Sequence, residues 1–248
     1  MRYWTSDWHL NSEIVRQTSH RPWKTVEEMN AALLKTVVFK IASDQVIHVG
    51  DLIQSGKDRG TEIAKDKQLT WDQIARKCAC QLICVEGNHD YSNNVPFICR
   101  SMKTRVGNYN VTVGHYPSWH ERARGTYVIG LPGCPTVHIC GHVHEAWKVA
   151  FDKKNCILNI NIGIDAHKYK LLSDAELVGL IDRAIAWWKY IDTTTDHWFG
   201  NSYSFADWEK DVSRKKQTEA ADKHAKMLEW LKVNKPEIYE AKMKRATK

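Results

Sequence analysis

No apolar run in the 248-residue chain approaches the roughly 20 residues that cross a bilayer, so no membrane-spanning helix is expected. The opening MRYWTSDWHL lacks an apolar stretch between a basic head and a small-residue cleavage site, and no secretory leader is read there. A cysteine framework is missing too. The seven cysteines are odd in number and scattered, and Cys78 and Cys80 have no second CxxC or CxxH pair to complete a zinc site. Free, buried thiols are expected, in a reducing compartment. The expected location is the cytoplasm, or a host's cytoplasm for a viral chain. Internal repeats and low-complexity tracts are absent.

The hydrophobic share of 43% and charged share of 26% suit a sizeable core, alone or with an appendage. The formal net charge is +7, and the last 48 residues hold 12 Lys/Arg against 8 Asp/Glu. That basic tail reads as a solvated helix face or as a surface that could hold nucleic acid.

Strand and helix signals alternate at first. RYWT, QVIHVGD and QLICVEGNHD read as strands, with VEEMNAALLKTVVFKIA and TEIAKDKQLTWDQIARKC as helices between them. Met29, Leu33, Val37 and Ile41 fall on one face of the first helix. This rhythm predicts parallel pairing with right-handed crossovers. After Asn88 the strand-like runs crowd together: YNVTVGHYP, TYVIGL, TVHICGHVH, WKVAF and CILNINIG. A mostly antiparallel or mixed sheet is expected there, giving an α/β sandwich over about 1–170. Beyond Leu172 the pattern is helical. Ser173 and Glu176 form a capping box, TTTDHWFGNSYS reads as a linker, a long helix spans 205–234, and Pro236 starts a last short one.

Each strong polar cluster follows a predicted strand: Asp7-x-His9, Gly50-Asp51, Gly87-Asn88-His89-Asp90, His115, and Gly141-His142-x-His144. In open α/β sheets ligands bind beyond the carboxyl ends of the strands, so the five clusters should meet. At an extended strand end, residues i and i+2 point to the same side, which would pair Asp7 with His9 and His142 with His144. Glycines 50, 87, 114 and 141 permit sharp turns or close approach. The pooled carboxylates, imidazoles and amide suit Mn²⁺, Fe or Zn²⁺ better than Ca²⁺ or Mg²⁺. Two ions sharing a carboxylate would use them all.

These residues resemble the calcineurin-like metallophosphoesterase superfamily, whose ordered signature is D-x-H, G-D, G-N-H-D/E, a lone H and G-H-x-H. RPWKTVEEMN, HYPSW and NIGID are similar to pieces of its small bacterial and phage subfamily. The resemblance covers about 1–170 and implies a metallophosphoesterase β-sandwich, two mixed sheets flanked by helices; that domain is expected over 1–190, and a basic, mostly helical extension at 191–248 departs from the subfamily. It implies Asp7, His9 and His144 at one metal, Asn88, His115 and His142 at the other, and Asp51 bridging. His89 would be the catalytic histidine, its ring held by Asp90. The cofactors would be two divalent ions, Mn²⁺ first, with Fe, Zn²⁺ or Ni²⁺ as alternatives. A metal-bridging hydroxide would then attack phosphorus directly. The expected activity is phosphomonoester hydrolysis of a small substrate such as a (deoxy)nucleoside 5′-monophosphate. The alternative is a phosphodiesterase or nuclease acting on nucleic acid or cyclic nucleotides.

Asn11, Arg16 and Arg21, close after the first motif, are candidate substrate contacts, with a structural salt bridge as the competing role for the arginines. His48 and His138 read as core histidines; His120, His167, His197 and His224 as surface ones. Trp187, Trp188, Trp198, Trp208 and Trp230 are expected to pack the C-terminal third onto the sandwich. A homo-oligomer is a further expectation.

Overall fold

The computed structural model describes residues 1–38, 40–54, 67–123, 135–193 and 204–234. The predicted strand TYVIGL, most of the linker, the last short helix, Cys134 and His197 lie outside these residues.

Strands β1 (Arg2–Thr5), β2 (Gln45–Val49) and β3 (Gln81–Val85) pair in parallel, in the order β3-β2-β1. Between them stand the helices α1 (Glu13–Thr18), α2 (Val26–Val38) and α3 (Trp71–Lys77). The second sheet has the order β4-β5-β6-β8-β7, from β4 (Ser101–Val106), β5 (Tyr109–Gly114), β6 (Thr136–Cys140), β7 (Val149–Asp152) and β8 (Ile157–Asn161). Its centre is parallel and its edge pairs are antiparallel. β9 (Leu172–Ser173) closes the first sheet by pairing antiparallel with β1, so both sheets are mixed. β4 and β9 carry too little alternation to be read from sequence. The two-residue β9 exists because β1 offers it a free edge.

Local chemistry explains the element ends. α2 buries Val26, Met29, Leu33, Leu34 and Val37 at helical spacing. It stops at Val38, short of the expected Ala42, and Ile41 is 63% exposed instead of packed. The Asp44 carboxylate accepts the Ile41 amide there, turning the chain into β2. α3 starts only at Trp71, where Thr70 and Gln73 form a capping box; the first half of the expected helix falls largely outside the described residues. The Ser173–Glu176 box is present ahead of α4 (Asp174–Thr193). The central strands β6 and β8 are buried almost throughout, as parallel strands covered on both faces must be.

The chain divides into two compact units, Met1–Trp198 and Phe199–Lys248. The boundary expected after residue 190 falls inside α4. In the first unit Trp187 and Trp188 are buried and Trp188 meets Phe151 at 6.4 Å between ring centroids. In the second unit a 30-residue helix, α5 (Phe205–Asn234), spans the range predicted for it. Among the described cysteines all six are free thiols, Cys80, Cys84 and Cys140 buried. No helix among the described residues is long and apolar enough to cross a membrane.

Candidate metal centre

The five clusters meet, but not through the alternation of an extended strand. Asp7 (φ 59°), His9 (46°), Asp51 (59°), His142 (71°) and His144 (47°) are all left-handed. A non-glycine residue costs about 1–2 kcal/mol there, so these loops store strain and are held by bonds between loops. The amides of Asp7 and His9 donate to the carbonyls of Gly50 and Asp51 at 3.0 and 2.9 Å. A bridge between Ser6 and Gly163 joins the loops after β1 and β8. Gly50 has φ 85°, and a Cβ there would lie 2.4 Å from His115 Nδ1. A Cβ on Gly141 would lie 2.3 Å from Asp7 Oδ2. Gly114 differs from the expectation: a Cβ there meets nothing closer than 3.6 Å.

Two donor groups result. Asp7, His9 and His144 form one, and Asp51, His115 and His142 the other, each with candidate ligand atoms within 4.8 Å of one another. Asn88 Oδ1 lies 3.1 Å from His115 Nε2 and adds an amide oxygen to the second. Asp51 stands between the groups, its Oδ2 3.5 Å from His9 Nε2 and 3.2 Å from His115 Nε2. The structure also groups His89 with His9 and Asp51, so geometry alone admits it as a ligand, a role the sequence comparison did not give it.

The residues fit a metal. His9 Nε2 is buried without a hydrogen-bond partner, which is costly unless an ion takes the lone pair. Its other nitrogen, Nδ1, meets Gln54 Oε1 at 3.2 Å. His115 Nδ1 meets the Val49 carbonyl at 3.0 Å, and His144 Nδ1 the Asp165 carboxylate at 2.8 Å. In each case Nε2 is the nitrogen that could coordinate an ion, the usual arrangement behind a metal-bound imidazole.

Charges here are mutually compensating. Burial pushes the Asp7 carboxyl up and His9 well down. For Asp51 burial acts upward, but the His115 and His9 imidazoles hold it below the ordinary range. Burial would lower His115, yet the Asp51 and Asp7 carboxylates raise it to about 10. His142 is lowered to about 4, chiefly by burial.

Several expected roles change. Asp90 does not hold the His89 ring; its carboxylate accepts the amides of Asp51, Leu52 and Gly87 at 2.8–2.9 Å and so clamps two loops. Asn11 is buried and bonded to Leu69 and Asn30. Arg16 pairs with Glu13 and donates to the Trp23 carbonyl. Arg21 grips the Asp165 carboxylate with two bonds of 2.8 Å and the carbonyls of Asp7 and Trp8 with two of 2.7 Å. These three side chains thus support the fold. His48 and His138 are buried, as expected. His120, expected at the surface, stacks on Tyr116 at 4.4 Å and meets the His142 ring edge-on at 5.1 Å. His167 is half-buried and bonded to the Asn161 carbonyl, while His224 is exposed. Sequence reasoning missed Gln54, Asp165 and Tyr116. The only signals were the NIGID and HYPSW motifs, which hold the last two.

Comparison with known proteins follows the same line. Residues 4–168 match the family model of the calcineurin-like phosphoesterase superfamily domain. Among solved structures the chain is similar to a protein of unknown function from Aquifex aeolicus, at 21% identity over 73% of this chain and 98% of that one, with a TM-score of 0.50. That likeness speaks to the fold alone. A fainter one, 15% identical over 65% of this chain and 82% of the other with a TM-score of 0.27, is to a structure described as a novel archaeal phosphodiesterase. Among curated proteins nothing matches.

Proposed function

The chain belongs to the calcineurin-like phosphoesterase superfamily, and from that premise we propose a two-metal phosphomonoesterase for a small phosphate ester, nucleoside or deoxynucleoside 5′-monophosphates first. Membership itself makes it a metal-dependent phosphoester hydrolase. The observation that carries the two-metal part of this reading is Asp51, shared between two donor groups. Asp7, His9 and His144 would hold one ion, and Asn88, His115 and His142 the other. The mixed oxygen and nitrogen donors suit Mn²⁺, Fe or Zn²⁺, and Mn²⁺ is proposed first.

When bound, the ion pair supplies Lewis acidity toward the phosphoryl oxygens and a nucleophile drawn from water near neutral pH. The protein's own groups do the rest. Gln54, Val49 and Asp165 fix three imidazole orientations. The His89 amide donates to Asp51 Oδ1 at 2.9 Å, and its half-buried imidazole lies beside the His9 ring, 5.1 Å between centroids. From there a protonated ring can deliver a proton to the leaving ester oxygen.

The test compares p-nitrophenyl phosphate with bis-p-nitrophenyl phosphate in Mn²⁺. Faster monoester turnover is expected. A strong diester preference would turn the reading to a phosphodiesterase on nucleic acid or cyclic nucleotides. Exposed basic residues of α5, among them Lys215 and Lys216, are the feature that favours that second reading. His89→Ala separates two roles: retained metal with slow turnover marks a proton donor, and lost metal marks a ligand.

A further inference from the structure

Beside the second donor group the surface opens into a cleft of about 580 Å³, which meets that group at Asn88 and His115. Such a volume suits a whole small ligand, far more than the ester oxygens need. Its lining is specific. Tyr91 is 79% exposed and offers an open ring directly after the G-N-H-D loop. The Tyr116 ring, by contrast, is already used: His120 stacks on it, and Arg122 sits 6.0 Å from its centroid while donating Nη1 to its hydroxyl at 3.2 Å. Tyr116 thereby pins Arg122 at the cleft, with the other N–H groups of the guanidinium still available. Arg100 also lines the cleft and uses only Nε, on Glu86, at 2.7 Å.

An open aromatic face and two partly free guanidinium forks select different chemistry. The first stacks on a planar ring; the second binds an oxyanion bidentately. We propose that this cleft holds the organic part of the substrate, and that this part carries both a planar ring, stacked on Tyr91, and a second anionic group, held by Arg122 with Arg100 beside it. The inference rests on the phosphoester-hydrolase reading and sharpens it: a nucleoside bisphosphate is preferred to a nucleoside monophosphate.

The test uses the full-length, Mn²⁺-loaded protein. Values of kcat/KM are measured for p-nitrophenyl phosphate, glycerol phosphate, adenosine 5′-monophosphate, adenosine 3′,5′-bisphosphate and a 5′-phosphorylated oligonucleotide. The bisphosphate should exceed the monophosphate by about tenfold or more, the size of one charge-assisted hydrogen bond. In Arg122→Ala that ratio falls toward one, mainly through KM, and Arg122→Lys restores part of it. Arg122 is exposed, so its replacement leaves the core intact. Tyr91→Ala lowers adenosine 5′-monophosphate relative to glycerol phosphate. Equal values for the two nucleotides, or a ratio untouched by Arg122→Ala, overturn the inference while the hydrolase reading stands. Faster cleavage of the oligonucleotide than of the bisphosphate overturns the small-substrate assignment. No turnover of any ester by protein that retains Mn²⁺ overturns both.

Discussion

Replacing Arg21 with methionine should both destabilise the protein and loosen its grip on metal. The Arg21 and Asp165 side chains are 0% and 2% exposed. Burial alone would raise the Asp165 carboxyl, but its bonds from His144 and Arg21 hold it below the ordinary value. Methionine keeps the unbranched stem of arginine but not its guanidinium, so it leaves a buried carboxylate with only His144 and strips the carbonyls of Asp7 and Trp8 of their donor. Breaking one side of a buried pair costs about 3–5 kcal/mol. The orphaned carbonyls belong to the same network and do not add in full. At about 2–4 °C per kcal/mol for a chain of this size, the melting temperature should fall by about 6–20 °C in EDTA. A second effect is separable. Asp165 orients His144 from behind, and loss of such a partner typically weakens metal binding about 10–100-fold. Asp165→Asn should show the metal effect, and the Arg21→Met/Asp165→Asn double variant should cost much less than the sum of the singles. Differential scanning calorimetry and Mn²⁺ titration read the two quantities. Strict additivity, or a melting temperature within 2 °C of the parent, would refute the network.

Gly50→Ala should lose most bound metal, because the new Cβ would stand against His115 Nδ1 in a left-handed backbone; elemental analysis after gel filtration reads this directly. Mn²⁺ at a hundred times its dissociation constant should add about 2.7 kcal/mol of stability, a rise of about 5–10 °C, and chelator should reverse it; an unmoved melting curve would count against the site. His138 is buried neutral, its pKa lowered by burial to about 4. Since the folded value lies below the unfolded one, its stabilisation is complete above about pH 6.5 and is lost as pH falls toward 4. Urea unfolding of EDTA-treated protein should therefore show His138→Asn losing about 2 kcal/mol less than the parent between about pH 8 and pH 5. His89→Ala should slow turnover about 10²–10⁴-fold in stopped assays under saturating Mn²⁺.

The residue order alone determined that strands ending in polar loops would bring Asp7, His9, Asp51, Asn88, His115, His142 and His144 to one edge. Strand periodicity is a local property, and topology places strand ends together. The long α5 was legible for the same reason, since 30 residues of helical composition need no tertiary partner to be recognised. Three-dimensional packing decided what neighbouring residues in the chain could not. Arg21 looked like a phosphate fork, yet the fold buries it against Asp165, 144 residues away. Asp90 stood next to His89 but reaches three backbone amides instead. The left-handed turns that aim the ligands depend on bonds to other loops, which a single stretch of sequence does not contain. Tyr116 and Arg122, on the segment that follows β5, became a wall of the cleft only when the fold set that segment beside Asn88. Side-chain roles of this kind follow from distance in space, and residue spacing carries little information about that once the chain has turned back on itself.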